Sequence, residues 1–125
     1  MAKVVIIIRI LMGLLFLMAS TVYFLDLFPK PELTGSVKLF NEGIEAAVYL
    51  IPVVKTFELL CGIAFVTGRF VPLATVVIFP IIINIFLFHF FLSPEGLPIA
   101  IFLLIGNLFL AYTYRRHYEL LMAVK

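Results

Sequence analysis

Residues 70–92 read FVPLATVVIFPIIINIFLFHFFL, an apolar run without a formal charge. A helix needs about 20 apolar residues to cross the hydrocarbon core of a bilayer. Three further segments resemble this one. Residues 4–24 hold one charge, Arg9; residues 46–67 hold Lys55 and Glu58; residues 97–114 hold none. Together these spans take up roughly two thirds of the chain. Open strands in lipid would leave edge N–H and C=O groups unpaired, and the period-2 alternation of a membrane barrel is absent. The sequence predicts an all-α membrane protein, a four-transmembrane-helix bundle forming one domain over residues 1–125.

The composition agrees. Hydrophobic residues make up 65% and charged residues 13% of the 125-residue chain, against about 45–50% and 25% in an average globular protein. Mean hydropathy is +1.26. A soluble domain this small lies mostly near its own surface and has nowhere to hide so much apolar side chain; disordered chains are polar. Net charge is +2, and no basic run interleaves with aromatics, so no nucleic-acid footprint is present. A single cysteine excludes an internal disulfide framework and a Cys-based zinc or iron–sulfur site within the chain. The expected partner is the lipid bilayer.

Turn chemistry separates the spans. Leu92-Ser93-Pro94-Glu95-Gly96 ends the third span, and Pro98 falls in the first turn of the fourth, where a missing N–H costs little. Gly68 and Arg69 make a very tight hairpin between spans two and three, with Pro72 again in a first turn. Pro52 falls in the second turn of span two. Pro80 interrupts span three and frees the carbonyl of Val76. The first span is too long for the 7–15-residue core of a cleaved signal peptide, and Arg9 interrupts it, so it is expected to be retained.

Only residues 25–45 form a long connection. Pro29, Pro31 and Gly35 break it, yet Leu33, Val37, Phe40 and Ile44 recur at helical spacing. This predicts a short amphipathic helix on the membrane surface, acting either as a cap on the bundle or as a lid over a lateral opening. Basic residues set the orientation. Lys3, Arg69, Arg115, Arg116 and Lys125 lie on one side, and Lys30 and Lys38 on the other, among Asp26, Glu32, Glu42, Glu45 and Glu95. Both termini of the multi-pass chain are therefore expected in the cytoplasm. Tyr23 and Tyr49 mark the outer interface, and Tyr112, Tyr114 and Tyr118 the inner one.

Charges inside a span are expensive, about 2.5–3.5 kcal/mol at mid-helix on the gentler scales. By helical rise, Arg9 lies about 8 Å inside the cytoplasmic end, Glu58 about 15 Å and Lys55 about 20 Å. Lys55 and Glu58 are three residues apart and share a helix face. Arg9, Gly13, Phe16, Ser20 and Tyr23 form a one-sided stripe on span one, and Ala100, Asn107, Ala111 and Tyr114 another on span four. Asn84 sits at a depth close to Lys55, and His89 lies about 140° around the same helix. Two readings stand. In one, this is a structural polar core that fixes helix register. In the other, Arg9, Lys55, Glu58, Asn84, His89 and Asn107 line or support a ligand site, with Arg9 and Lys55 holding the charge of Glu58.

Redox ligands are sparse. His89 and His117 sit at opposite ends and cannot share a haem. Cys61, beside Gly62, reads as a small buried hydrophobe. No metal site and no tightly held cofactor is expected. A quinone needs only an apolar slot, aromatics and one or two hydrogen-bond partners.

The residues from Phe57-Glu58-Leu59-Leu60-Cys61-Gly62 through Gly68-Arg69-Phe70-Val71-Pro72-Leu73-Ala74 resemble the E-x-x-x-G-x-x-L…G-R-x-x-x-x-A stretch of the DoxX family of membrane proteins. Pro80 to His89, Pro94-Glu95-Gly96-Leu97-Pro98 and the Arg9 to Leu17 stretch are similar to other parts of that family. Where the family often continues the first helix with a Gly-x-x-Lys or Gly-x-Asn-like motif, this chain has Met18-Ala19-Ser20-Thr21-Val22-Tyr23. The resemblance implies a four-helix membrane bundle. For function it implies the membrane subunit of a quinone- or thiol/sulfur-linked redox complex, whose soluble or membrane partner carries the redox centre. The alternatives are a bundle that binds or moves a lipid or small molecule, and a non-catalytic scaffold. Ala64 and Gly68 form a small-xxx-small pair suited to packing within one bundle or between two copies.

Overall fold

The computed structural model describes residues 2–26 and 32–123. Its helices are α1 (Ala2–Leu25), α2 (Gly35–Ala46), α3 (Leu50–Thr67), α4 (Val71–Phe91) and α5 (Leu97–Thr113), with short 3-10 turns at Pro94–Gly96 and Arg115–Tyr118. Four segments are long and apolar enough to cross a membrane: α1, α3, α4 and Pro94–Thr113. The described residues contain no strand. The predicted four-span bundle is therefore present. Pro29, Pro31, Lys30 and Lys125, used above for chain breaks and orientation, lie outside the described residues.

One boundary differs from the sequence reading. α3 begins at Leu50, not near residue 46, and Pro52 is thus in its first turn. The reason is steric. A helix begun earlier would press the Pro52 ring against the carbonyl of Val48 and strand a hydrogen bond. Elsewhere the punctuation acts as predicted. Gly68 caps α3 in the left-handed region at φ 77°, with its N–H on the carbonyl of Ala64. Phe70 follows at φ 59°, a conformation that costs a non-glycine residue about 1–2 kcal/mol. Two left-handed residues so close together reverse the chain within three residues, Gly68 to Phe70. Pro72 and Pro98 lie in the first turns of α4 and α5. α4 continues unbroken across Pro80.

The membrane helices pack in a ring: α1 on α3, α3 on α4, α4 on α5, and α5 back on α1. The α1–α3 seam is the most extensive, and glycine makes it so. A Cβ on Gly13 would stand 2.9 Å from the carbonyl oxygen of Gly62, and one on Gly62 would stand 3.1 Å from that of Gly13. Small residues let helix backbones approach closely, which maximises dispersion contact where no hydrophobic effect operates. Met12, Phe16, Phe65, Ile78, Ile82 and Leu110 fill the centre, with the Phe16 and Phe65 rings stacked at 6.4 Å.

α2 lies across the end away from the termini. Val37, Phe40 and Ile44 are half-buried, and its other large apolar side chain, Leu39, is exposed. Phe40 rests on Phe88 of α4 at 5.0 Å between ring centroids. No residue of α2 is fully buried, so its docking is shallow.

Candidate functional site

Of the six polar residues singled out above, the structure pairs two. Glu58 is buried, and Lys55 Nζ approaches its Oε2 to 3.1 Å. The approach is off-axis, because that oxygen has no hydrogen-bonding donor. Lys55 remains partly exposed.

Arg9 does not join them. Its guanidinium lies over Gly68, where an added Cβ would stand 2.7 Å from Nη1. Among the described residues no ion pair links Arg9 to Glu58. Side-chain direction explains this. Helical side chains lean toward their own N-terminus. α1 and α3 run antiparallel, so Arg9 leans toward the end bearing the termini, while Glu58 leans the other way, toward Lys55. Arg9 thereby reaches the C-terminal end of α3, where the helix dipole is negative. Its Nε is buried without a hydrogen bond.

Asn107 belongs to a second buried group. Its Nδ2 donates to the carbonyl of Thr75 at 3.2 Å. The Thr75 hydroxyl shares a hydrogen bond with Tyr118 Oη, tying the 3-10 turn after α5 onto α4. Asn107 Oδ1 is buried and unpaired. The sequence reading did not single out Thr75. The available signal was its position as one of only three polar side chains, with Asn84 and His89, in the apolar run.

His89 lies at the opposite end. Nδ1 is 3.0 Å from the carbonyl of Ser93, and the ring packs directly on Gly96, so it pins the α4–α5 turn. Asn84 is exposed on the outside of the bundle, in contrast to the buried Glu58. The six residues thus form no single constellation. Among the described residues no three His, Cys, Asp or Glu side chains gather as a metal site.

A different feature offers room for a ligand. Between α3 and α4, at the hairpin end, a lateral groove of about 930 Å³ opens outward. Cys61, Ala64 and Ala74 are its small residues, flanked by larger Phe57, Leu60, Phe70 and Leu73; Arg69 lies at the hairpin. Cys61 is buried, with Sγ 3.8 Å from the carbonyl of Ala74. The groove has no lining residue from α2, which therefore is no lid over this opening. Sequence reasoning missed the groove because it arises from the alternation of small and large residues on two facing helices. That alternation is ordinary within either helix alone.

The DoxX family model matches residues 4–90. This chain belongs to the DoxX family. The match runs from α1 almost to the end of α4, and α5 completes the DoxX bundle by packing between α4 and α1. No curated protein and no solved structure matches it.

Proposed function

We propose that this DoxX protein is the membrane subunit of a redox complex and seats a quinone-class molecule in its lateral groove. The groove is the observation that carries this reading. Its volume, about 930 Å³, falls within the roughly 300–1,000 Å³ of small-molecule sites. Apolar walls suit an isoprenoid tail, Phe57 and Phe70 suit a planar ring, and Arg69 supplies a donor for a ring carbonyl. Such a ligand would supply two-electron, two-proton redox chemistry. This chain's residues would bind and orient it, and a soluble or membrane partner would carry the redox centre. The setting is a bacterial inner membrane with both termini in the cytoplasm, which places the groove on the side rich in Lys and Arg.

A second reading uses the same groove. It opens toward lipid and has an arginine at one end, which suits an anionic lipid equally well in shape. Native mass spectrometry of the protein, extracted gently from its own membranes, separates the two. Expected are a quinone mass and a redox protein travelling with the wild type, with the quinone lost in Ala64→Trp, which fills the groove. A phospholipid lost in that variant favours the second reading. Quinone retained by a folded Ala64→Trp protein refutes the groove as its seat.

A further inference from the structure

Of the polar side chains that the bundle leaves outside, Asn84 is the informative one. Asn84 is exposed on α4. By helical rise it lies about 20 Å from Val71 and about 10 Å from Phe91, well inside the hydrocarbon. The amides of Asn41 and Asn107 each donate to a backbone carbonyl; no hydrogen bond among the described residues serves Asn84. A bare carboxamide facing acyl chains is unfavourable, because lipid offers neither donor nor acceptor.

The surroundings of Asn84 form a seam. Pro80, Asn84, Leu87 and Phe91 are all exposed and follow one another at spacings of four, three and four. That is the a/d spacing of a left-handed helix pair, with Asn84 at an a position. A second unpaired group borders it. Pro80 has no N–H, so the carbonyl of the exposed Val76 loses its helical donor. The seam lies beyond the groove, whose lining on α4 stops at Val77.

We propose that α4 is a self-association face, on which two copies of this chain pair through reciprocal hydrogen bonds between their Asn84 side chains. The membrane selects a second copy. All copies share one orientation, so a closed pair has its two-fold axis along the membrane normal. Under that symmetry α4 meets α4 in parallel, and each residue meets its own counterpart at one depth. A carboxamide carries both donor and acceptor, so asparagine is its own complement. A single asparagine at an a position likewise fixes register in parallel coiled coils. Leu87 and Phe91 on one side and Pro80 on the other close the seam against lipid.

The test uses the full chain in liposomes at high lipid excess. In a Cys61→Ala background, Asn84→Cys is expected to form a disulfide-linked dimer on mild oxidation. Leu60→Cys, exposed on α3, is expected to form no disulfide under the same conditions. Single-molecule photobleaching is expected to show two-step traces for wild type and for Asn84→Gln. Asn84→Leu is expected to raise the dissociation constant at least about fivefold, as loss of one interhelical amide pair implies. If Asn84→Leu does not insert, the cysteine pair decides alone. The proposal is overturned if wild type is monomeric at every density. Equal dimerisation by a folded Asn84→Leu protein overturns it too, as does cross-linking through Leu60 but not 84. Because the Asn84 seam lies beyond the α4 residues that line the groove, failure here leaves the quinone reading intact, and failure there leaves this one.

Discussion

Replacing Gly13 by alanine tests the α1–α3 seam directly. The new Cβ would stand 2.6 Å from Val66 Cγ2, 2.9 Å from the Gly62 carbonyl oxygen and 3.0 Å from the Val66 amide nitrogen. Comfortable carbon contacts begin near 3.5 Å. Two of the three neighbours are α3 backbone, so no rotamer change relieves them and α1 must retreat by about half an ångström. That retreat loosens Met12 and Phe16 as well. Overpacking of this kind costs about 1–3 kcal/mol, while alanine's helix propensity offsets up to about 1 kcal/mol. The expected net loss is on the order of 1–2 kcal/mol, a factor of roughly 5–30 in the folding equilibrium. Titration with SDS in mixed micelles, followed by circular dichroism and tyrosine fluorescence, reads it. Three other glycines calibrate the result. Gly62→Ala meets Leu17 at 3.0 Å and the Gly13 carbonyl at 3.1 Å and should lose less. Gly106→Ala meets chiefly the flexible side chain of Met12, with Sδ at 2.9 Å, and should be tolerated better than Gly13→Ala. Gly43→Ala meets nothing within 4 Å and should be neutral or stabilising by up to about 1 kcal/mol. If Gly13→Ala is as stable as Gly43→Ala, the close seam is wrong.

Three further outcomes are expected. Lys55→Met removes the partner ion of buried Glu58. The loss should fall toward the lower end of the roughly 3–5 kcal/mol typical of a broken buried pair, because Lys55 is 24% exposed; Lys55→Met/Glu58→Gln should recover most of it in the same SDS titration. Asn107→Leu deletes a donor but also an unpaired buried carbonyl oxygen, so it should change stability by less than about 1 kcal/mol, with thermal denaturation in detergent as the check. Gly68→Ala must hold φ 77° and displace the Arg9 guanidinium, and should lose about 1–2 kcal/mol, seen as a lower Tm.

The spans were legible because each is a long apolar run bounded by proline, glycine or charge, and the bilayer sets the required length. α2 was legible because Val37, Phe40 and Ile44 repeat at helical spacing between polar residues. The separation of Arg9 from Glu58 was not. By helical rise their depths differ by only about 7 Å, but depth ignores lean, and antiparallel helices lean apart. Asn84 was misleading for another reason. Almost every residue of α4 is apolar, so its sequence carries no periodicity to mark the inner face. Only the packing of Ile78 and Ile82 against the core shows that Asn84 faces out.

These differences point to one physical division in the bundle. On the α1–α3 side, glycine faces glycine, and the two backbones approach too closely for any ligand to enter. On the α3–α4 side, small residues on both helices are flanked by phenylalanine and leucine, whose bulk holds the helices apart around a recess. The tight hairpin at Gly68 and Phe70 fixes the spacing of that pair at one end. A ligand can therefore reach the recess sideways from the bilayer without disturbing the close seam, which lies on the other face of α3. The polar residues follow the same division. Glu58, Asn107 and Ser20 are buried within the bundle, where each makes local contacts with its own or a neighbouring helix. Asn84 alone among the uncharged amides of the spans is turned toward the lipid, and a hydrocarbon environment gives it no partner except one brought by another helix.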